Sequence, residues 1–429
     1  MKTRYLIALS VFISLLMSCA RGHETEEPIR DNEKVCIELS INSFSGQDNT
    51  SSTPKSSRLR ASSSVEKNES LIEEVRIVGF YPGEATSCFN LYFDLKNQAY
   101  NPKKIKFVAR ASQTYDLYVL ANESATNERN STLSFLNKST ITRDELLGAK
   151  VATVGVKKYK NYSGVDRLFM MTATYLNVDI KPEMLSGGDG TENKPFKLDL
   201  SEYNKRQYGE IRGRRDRSGI ELIRSLAKIE VILKDYVKAK LSVGSDGNYK
   251  YTYDWVLPLG YSTDNYLRVL LYNYPSKYPL FPIKDFSTQP LEVQKENTPY
   301  EIIISNRWKV DENCVVKDNL PDEIPLGSIF TCDYKLVFYV PETLLPESCD
   351  VDKCPRINFQ CSRVEDPKKA VPIVKGLIIP YDNILYKYLL AGGPYSDCSM
   401  YRNICAKVKV TFKRSKFGID KIDSNIINK

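Results

Sequence analysis

The sequence predicts an all-β protein built from antiparallel β-sandwiches. Three observations carry that prediction. Apolar residues recur at period 2 along the chain. Its 28 Tyr supply rings with a polar tip, suited to a pleated, half-wet surface. Pro, Gly and Asn punctuate the runs at intervals of strand length. In chain order, Val35, Ile37, Leu39 and Ile41 alternate with Cys36, Glu38 and Ser40. Strand-length runs follow at 75–80, 117–120, 229–233, 301–304, 336–340 and 408–412, each β-branched or aromatic. Helical periodicity is sparse, and Thr142 to Leu147 is its best short candidate. The Gly-rich Ser186 to Gly190 lacks the Gly-Lys-Ser/Thr of a phosphate loop and the alternating acids of a Ca²⁺ loop. It reads as a turn between strands. Val243 to Asn248 reads as the join between two domains.

The N-terminus points to export. Lys2 and Arg4 precede an apolar run from Tyr5 to Leu16. That run is shorter than the roughly 20 residues a membrane span needs but suits a secretory signal. It ends in Leu16-Met17-Ser18-Cys19, which resembles the bacterial lipobox, so residues 1–18 are expected to be removed and Cys19 lipidated. Further on, Ser51 to Asn68 is Ser-rich, with one concentrated charge step from Arg58 to Ala61. Such a segment buries too little apolar surface to offset the entropy of ordering it. It reads as a linker or as a place to be cut.

Composition excludes several functions. The formal charge of +8 is spread along the chain. Pairs such as Lys103-Lys104 and Lys157-Lys158 read as solvated strand faces, and Arg212, Arg214, Arg215 and Arg217 as an exposed loop. No nucleic-acid partner is expected. Ten Cys include Cys19. The other nine (Cys36, Cys88, Cys314, Cys332, Cys349, Cys354, Cys361, Cys398 and Cys405) read as one or more disulfides with at least one thiol left over. Cys349 and Cys354 fit a metal-ligand spacing, but no second pair matches them, so no metal and no cofactor are expected. His23 is the single His, four residues past Cys19. A Ser-His-Asp or Cys-His arrangement in the folded body is therefore excluded by count, and no enzyme is expected. Trp255 and Trp308, near Tyr251, Tyr253 and Tyr261, form a candidate glycan platform, or else pack in a core or sheet.

Five segments in order then resemble the fimbrillin superfamily, the lipoprotein-derived type V pilins of Bacteroides- and Porphyromonas-like bacteria. Tyr115 to Asn122 looks like that family's strand ending in Ala-Asn, and Leu168 to Thr172 like its Met-Thr segment. Ile223 to Val231 is similar to its Arg-x-x-Ala-(Lys/Arg)-(Ile/Met) strand, and Phe338 to Glu342 to a second-domain strand. Tyr401 to Val410 resembles its Arg-Asn-His strand, with Ile404 and Cys405 following the Arg-Asn where the family commonly has His. The resemblance implies two transthyretin-like antiparallel β-sandwich domains in tandem, at 61–241 and at a Cys-rich 242–413, with a short tail at 414–429. It also implies a lipidated 19–60 segment whose first strand (Val35, Ile37, Leu39, Ile41) plugs a groove until a protease removes it. The expected cut is at Arg60-Ala61. A neighbouring subunit's strand then fills the groove.

Under that resemblance the chain is an outer-membrane lipoprotein precursor that enters a fimbrium, pairs with other subunits and contributes to adhesion through a host or bacterial surface receptor. Few residues follow Arg414, which ranks a tip or accessory subunit above a stalk or an anchor subunit. The alternative is a monomeric glycan-binding surface lipoprotein that stays lipidated at Cys19.

Overall fold

A computed structural model describes residues 33–43, 71–98, 102–125, 132–152, 168–208, 218–256, 266–275, 277–282, 300–305, 309–316, 325–343, 355–362, 371–378, 405–415 and 418–428. The signal segment, Cys19, His23, the Ser51–Asn68 stretch with Arg60 and Ala61, the 212–217 Arg cluster and Trp308 lie outside the described residues. So do Cys349, Cys354 and Cys398. No helix among the described residues is long and apolar enough to cross a membrane.

The fold is all-β. The strands are β1 (Lys34–Ser43), β2 (Glu74–Phe80), β3 (Phe89–Asp94), β4 (Lys103–Arg110), β5 (Thr114–Ala121), β6 (Lys150–Ala152), β7 (Met171–Asp179), β8 (Leu185–Ser186), β9 (Phe196–Leu198) and β10 (Ile220–Arg224). They continue as β11 (Leu226–Val243), β12 (Tyr249–Trp255), β13 (Tyr266–Tyr272), β14 (Lys277–Pro279), β15 (Tyr300–Ser305), β16 (Val315–Val316), β17 (Ile329–Pro341), β18 (Arg356–Ser362), β19 (Val371–Ile378), β20 (Cys405–Ser415) and β21 (Gly418–Asn428). The expected helix forms as α1 (Arg143–Gly148). Thr142 caps it and Glu145 closes the reciprocal bond, a capping box that sets its start.

Two apolar cores organise these strands. The first lies between the run β3-β2-β5-β7-β10 and a group made of β1, β4, β8 and β9. Ile37, Leu39, Ile77, Leu117, Val119 and Tyr175 are among its most buried members. Phe89 on β3 meets Phe107 on β4 across it, ring centres 5.9 Å apart. The second core takes Ile229 and Val231 from β11, Leu267 and Val269 from β13, Phe338 from β17 and Phe359 from β18. Its two sheets run β16-β17-β11-β20-β21 and β15-β13-β18-β19. Most pairings are antiparallel, as expected, but β1 runs parallel to β9 and β10, and β11 parallel to β20. Parallel neighbours need a long return connection, and each of these pairs joins strands far apart in sequence.

The passage between the cores comes earlier than the sequence predicts. Ile223 belongs to the second core and Leu226 to the first, so the crossing falls at β10–β11. The Val243–Asn248 segment is instead a hairpin turn. The N–H of Gly244 donates to the Asn248 carbonyl at 2.8 Å, and Gly247 has φ 76°. The alternation continues on both sides of this turn, so β11 and β12 pair from Val237–Trp255 to Val243–Tyr249. The expected tail after residue 413 is likewise taken up by the end of β20 and by β21.

Candidate functional site

The site is the groove that holds β1. Val35, Ile37, Leu39 and Ile41 are each 4% exposed or less, and all four belong to the first core. Burying four such side chains is worth about 1.5–3 kcal/mol each, roughly 6–12 kcal/mol together. The lower end of that range rivals the stability of a whole domain. β1 joins β2 only through residues 44–73.

The two edges of the groove differ. On one side β4 pairs antiparallel with β1 without a break, from Lys34–Arg110 to Ile41–Lys103. The other side is assembled from pieces. β10 pairs with residues 41–43 and β9 with residues 37–38, both parallel. Between β8 and β9 the chain turns over the start of β1, where the N–H of Cys36 donates to the Gly190 carbonyl at 2.7 Å. This turn is tightly built. Gly188 and Gly190 have φ of 87° and 76°, and the N–H groups of Asp189 and Gly190 both donate to the Lys194 carbonyl. A Cβ on Gly188 would lie 2.4 Å from that carbonyl oxygen, so only Gly fits.

The start of β10 is fixed by a buried polar chain. Tyr175 Oη donates to Asn204 Oδ1 at 2.9 Å and accepts from the Glu221 N–H at 2.8 Å. Asn204 Nδ2 donates to the Gly219 carbonyl at 2.9 Å. Gly219 thereby lies against β1, and a Cβ there would fall 2.2 Å from Ser40 Oγ. On the face of β1 away from the core, Cys36 is nonetheless 7% exposed, and burial pushes its thiol up while Lys106 opposes. Glu38 pairs with Lys104 at 3.0 Å. It also sits opposite Lys106 on β4 and Lys197 on β9.

Several sequence signals acquire physical roles. Asn122, at the end of β5, has φ 57°. Its side chain accepts from the Glu73 N–H and donates to the Leu71 and Phe169 carbonyls, which ties the entry of β2 to that of β7. Arg224 lies over the rings of Phe169 and Tyr339, both members of the first core. Lys228 and Glu230 form a buried ion pair at 2.9 Å, which Lys407 on β20 extends at 3.6 Å.

Trp255 lies on β12, half-buried, with edge contacts to Tyr236 and Tyr334 at 5.7 and 4.8 Å. Tyr251 and Tyr253 stack beside it at 6.3 Å. Cys36, Cys88 and Cys314 are free thiols, of which only Cys88 is exposed, and Cys332 is buried. Among the described residues no group of His, Cys, Asp and Glu could hold a metal ion. The roles of Lys104, Lys106, Lys197, Gly190 and Gly219 around β1 were missed by sequence reasoning. The Lys103-Lys104 pair was a visible signal, but it reads equally as a solvated strand face.

No family model and no curated protein matches the chain. Solved structures similar to it include the tip fimbrial protein of Porphyromonas gingivalis with C-terminal truncation. That match has 13% identity, covers 92% of this chain and 100% of that one, and has a TM-score of 0.46. A fimbrilin from the same organism matches at 9% identity, over 93% and 96% of the two chains, with a TM-score of 0.41. The fimbrial anchor protein of P. gingivalis matches at 8%, over 92% and 97%, with a TM-score of 0.35.

Proposed function

We propose that this chain is a subunit of a cell-surface fimbrium, made as a lipoprotein anchored at Cys19 and assembled by exchange of its first strand. The carrying observation is β1 itself. It lies inside a sheet with neighbours on both edges and supplies four fully buried side chains, yet its covalent link runs through a Ser-rich stretch containing Arg58 and Arg60. Exposed polar segments are where proteases act. A cut at Arg60-Ala61 would leave β1 held by non-covalent contacts alone. An emptied groove presents unpaired N–H and C=O groups on β4, ready for another strand.

A tip or accessory role is favoured by β21. It pairs with β20 from Ser415–Gly418 to Ala406–Asn428, so these residues complete their own subunit's sheet rather than reaching a neighbour. Such a subunit accepts a strand and donates none. The role is adhesive and structural, with no catalytic group assigned.

The test is the N-terminus and intact mass of the protein recovered from the cell surface. A chain that starts at Ala61 and carries no lipid is expected. A lipidated chain starting at Cys19 and still holding β1 would overturn the exchange.

A further inference from the structure

We infer that the groove selects its incoming strand by three features beyond alternating apolar residues. These are a small side chain where Cys36 stands, an acidic one where Glu38 stands, and a small one where Ser40 stands. The inference rests on the strand-exchange reading above and specifies the partner: an extended segment reading apolar-small-apolar-acidic-apolar-small-apolar. Val35-Cys-Ile-Glu-Leu-Ser-Ile41 fits that pattern.

The alternate residues of β1 would ordinarily face water and tolerate most side chains. Here they do not. Cys36 is buried without belonging to the first apolar core, because the turn between β8 and β9 closes over it. That turn has no slack. A Cβ on Gly190 would lie 2.6 Å from the Phe196 ring and 3.4 Å from Val35 Cγ1. Lys106 Nζ donates to the Glu192 carbonyl at 3.1 Å, tying β4 to the turn across β1. A bulky residue at position 36 must break that tie or push the turn away.

Position 40 is limited by backbone. Ser40 Oγ occupies the volume a side chain on residue 219 would fill, and Asn204 holds the Gly219 carbonyl in place. Position 38 is electrostatic. Lys104 meets Glu38 at 3.0 Å, and Lys106 and Lys197 stand opposite it on the two flanking strands. An acid there pairs with Lys104 and lies among two further cations, whereas a base there adds a fourth positive charge. An incoming strand carrying Lys at position 38 would be rejected even if its apolar residues were ideal.

The experiment uses the full chain with one engineered protease site between residues 44 and 70, cut while folded. A fluorescent peptide spanning 33–43 then competes with the resident strand in mild urea, and bound peptide is read by anisotropy. The native peptide and Cys36→Ser are expected to bind within about twofold of each other, and Lys34→Ala likewise, since Lys34 is exposed. Glu38→Lys should bind roughly tenfold more weakly, with the gap narrowing in 1 M salt. Cys36→Phe and Ser40→Phe should each bind roughly 5- to 150-fold more weakly. If all variants bind like the native peptide, the selection rule is overturned while strand exchange survives. If the native peptide itself does not enter, both fall.

Discussion

The two outermost described strands, β1 and β21, complete sheets in opposite ways. β1 is an interior strand, paired on both edges, that supplies four buried side chains to the first core. β21 pairs only with β20 in its sheet and follows it after just two residues. A strand closed by so short a connection sits at very high effective concentration beside its partner and reseats quickly. β1 reaches its groove across a long link, so one cut removes nearly all of that advantage. Depth of burial and strength of tether are thus separate properties, and β1 combines deep burial with a link that can be severed.

Deleting residues 33–43 is the strongest way to break this comparison. It should remove about 6–12 kcal/mol, enough that the first core no longer unfolds cooperatively in urea. The second core should keep its own transition.

Next in size is Lys228→Ala, which strands the Glu230 carboxylate and loosens the tie to Lys407 on β20. A loss of about 3 kcal/mol is expected by thermal or urea unfolding. Burial opposes ionisation of Glu230, but Lys228, Lys335 and Lys407 outweigh it and hold its carboxyl below the usual value of 4.5. A depressed value stabilises the fold above the ordinary carboxylate range and is lost as pH falls through the folded value. Below about pH 4.5 the native chain should therefore lose stability with a slope that Glu230→Gln reduces.

Ile37→Ala opens a cavity in the first core and should cost about 2–5 kcal/mol. Val108→Ala, on β4 opposite Cys36 but 55% exposed, should stay within about 0.5 kcal/mol. Truncation after Ser415 should cost less than the core changes, though more than Val108→Ala. It removes one edge strand, and a loss of only about 1–2 kcal/mol is expected. If that loss matched the deletion of β1, the contrast between the two ends would collapse. The bared edge of β20 should also raise self-association, visible by light scattering.

The strands were largely legible because their signals are local. The alternation at 35–41 gives β1, the aromatic and β-branched runs give β2, β5, β11, β15, β17 and β20, and Thr142 with Glu145 marks the start of α1. The groove was legible on one face only. Period 2 places Val35, Ile37, Leu39 and Ile41 inward, but it carries no sign that Cys36 on the other face is buried as well. There a turn more than 140 residues away hydrogen-bonds to it, a contact no local pattern encodes. The join between cores was misplaced for a related reason. Gly244 and Gly247 announce a turn, but a hairpin and an interdomain link use the same residues.

The register of β1 against β4 also has a mechanical consequence. β1 lies antiparallel to β4 over eight consecutive residue pairs, and a strand seated in its register would do the same. A pull along the axis of such a strand loads its cross-strand bonds together, in shear, and none can fail without the others taking up the strain. A pull on the last residue of β21 instead peels that hairpin open one bond at a time, beginning at Asn428–Ala406. A filament joined through the β1 groove would carry tension where the molecule is strongest, and its free end would be the part that frays.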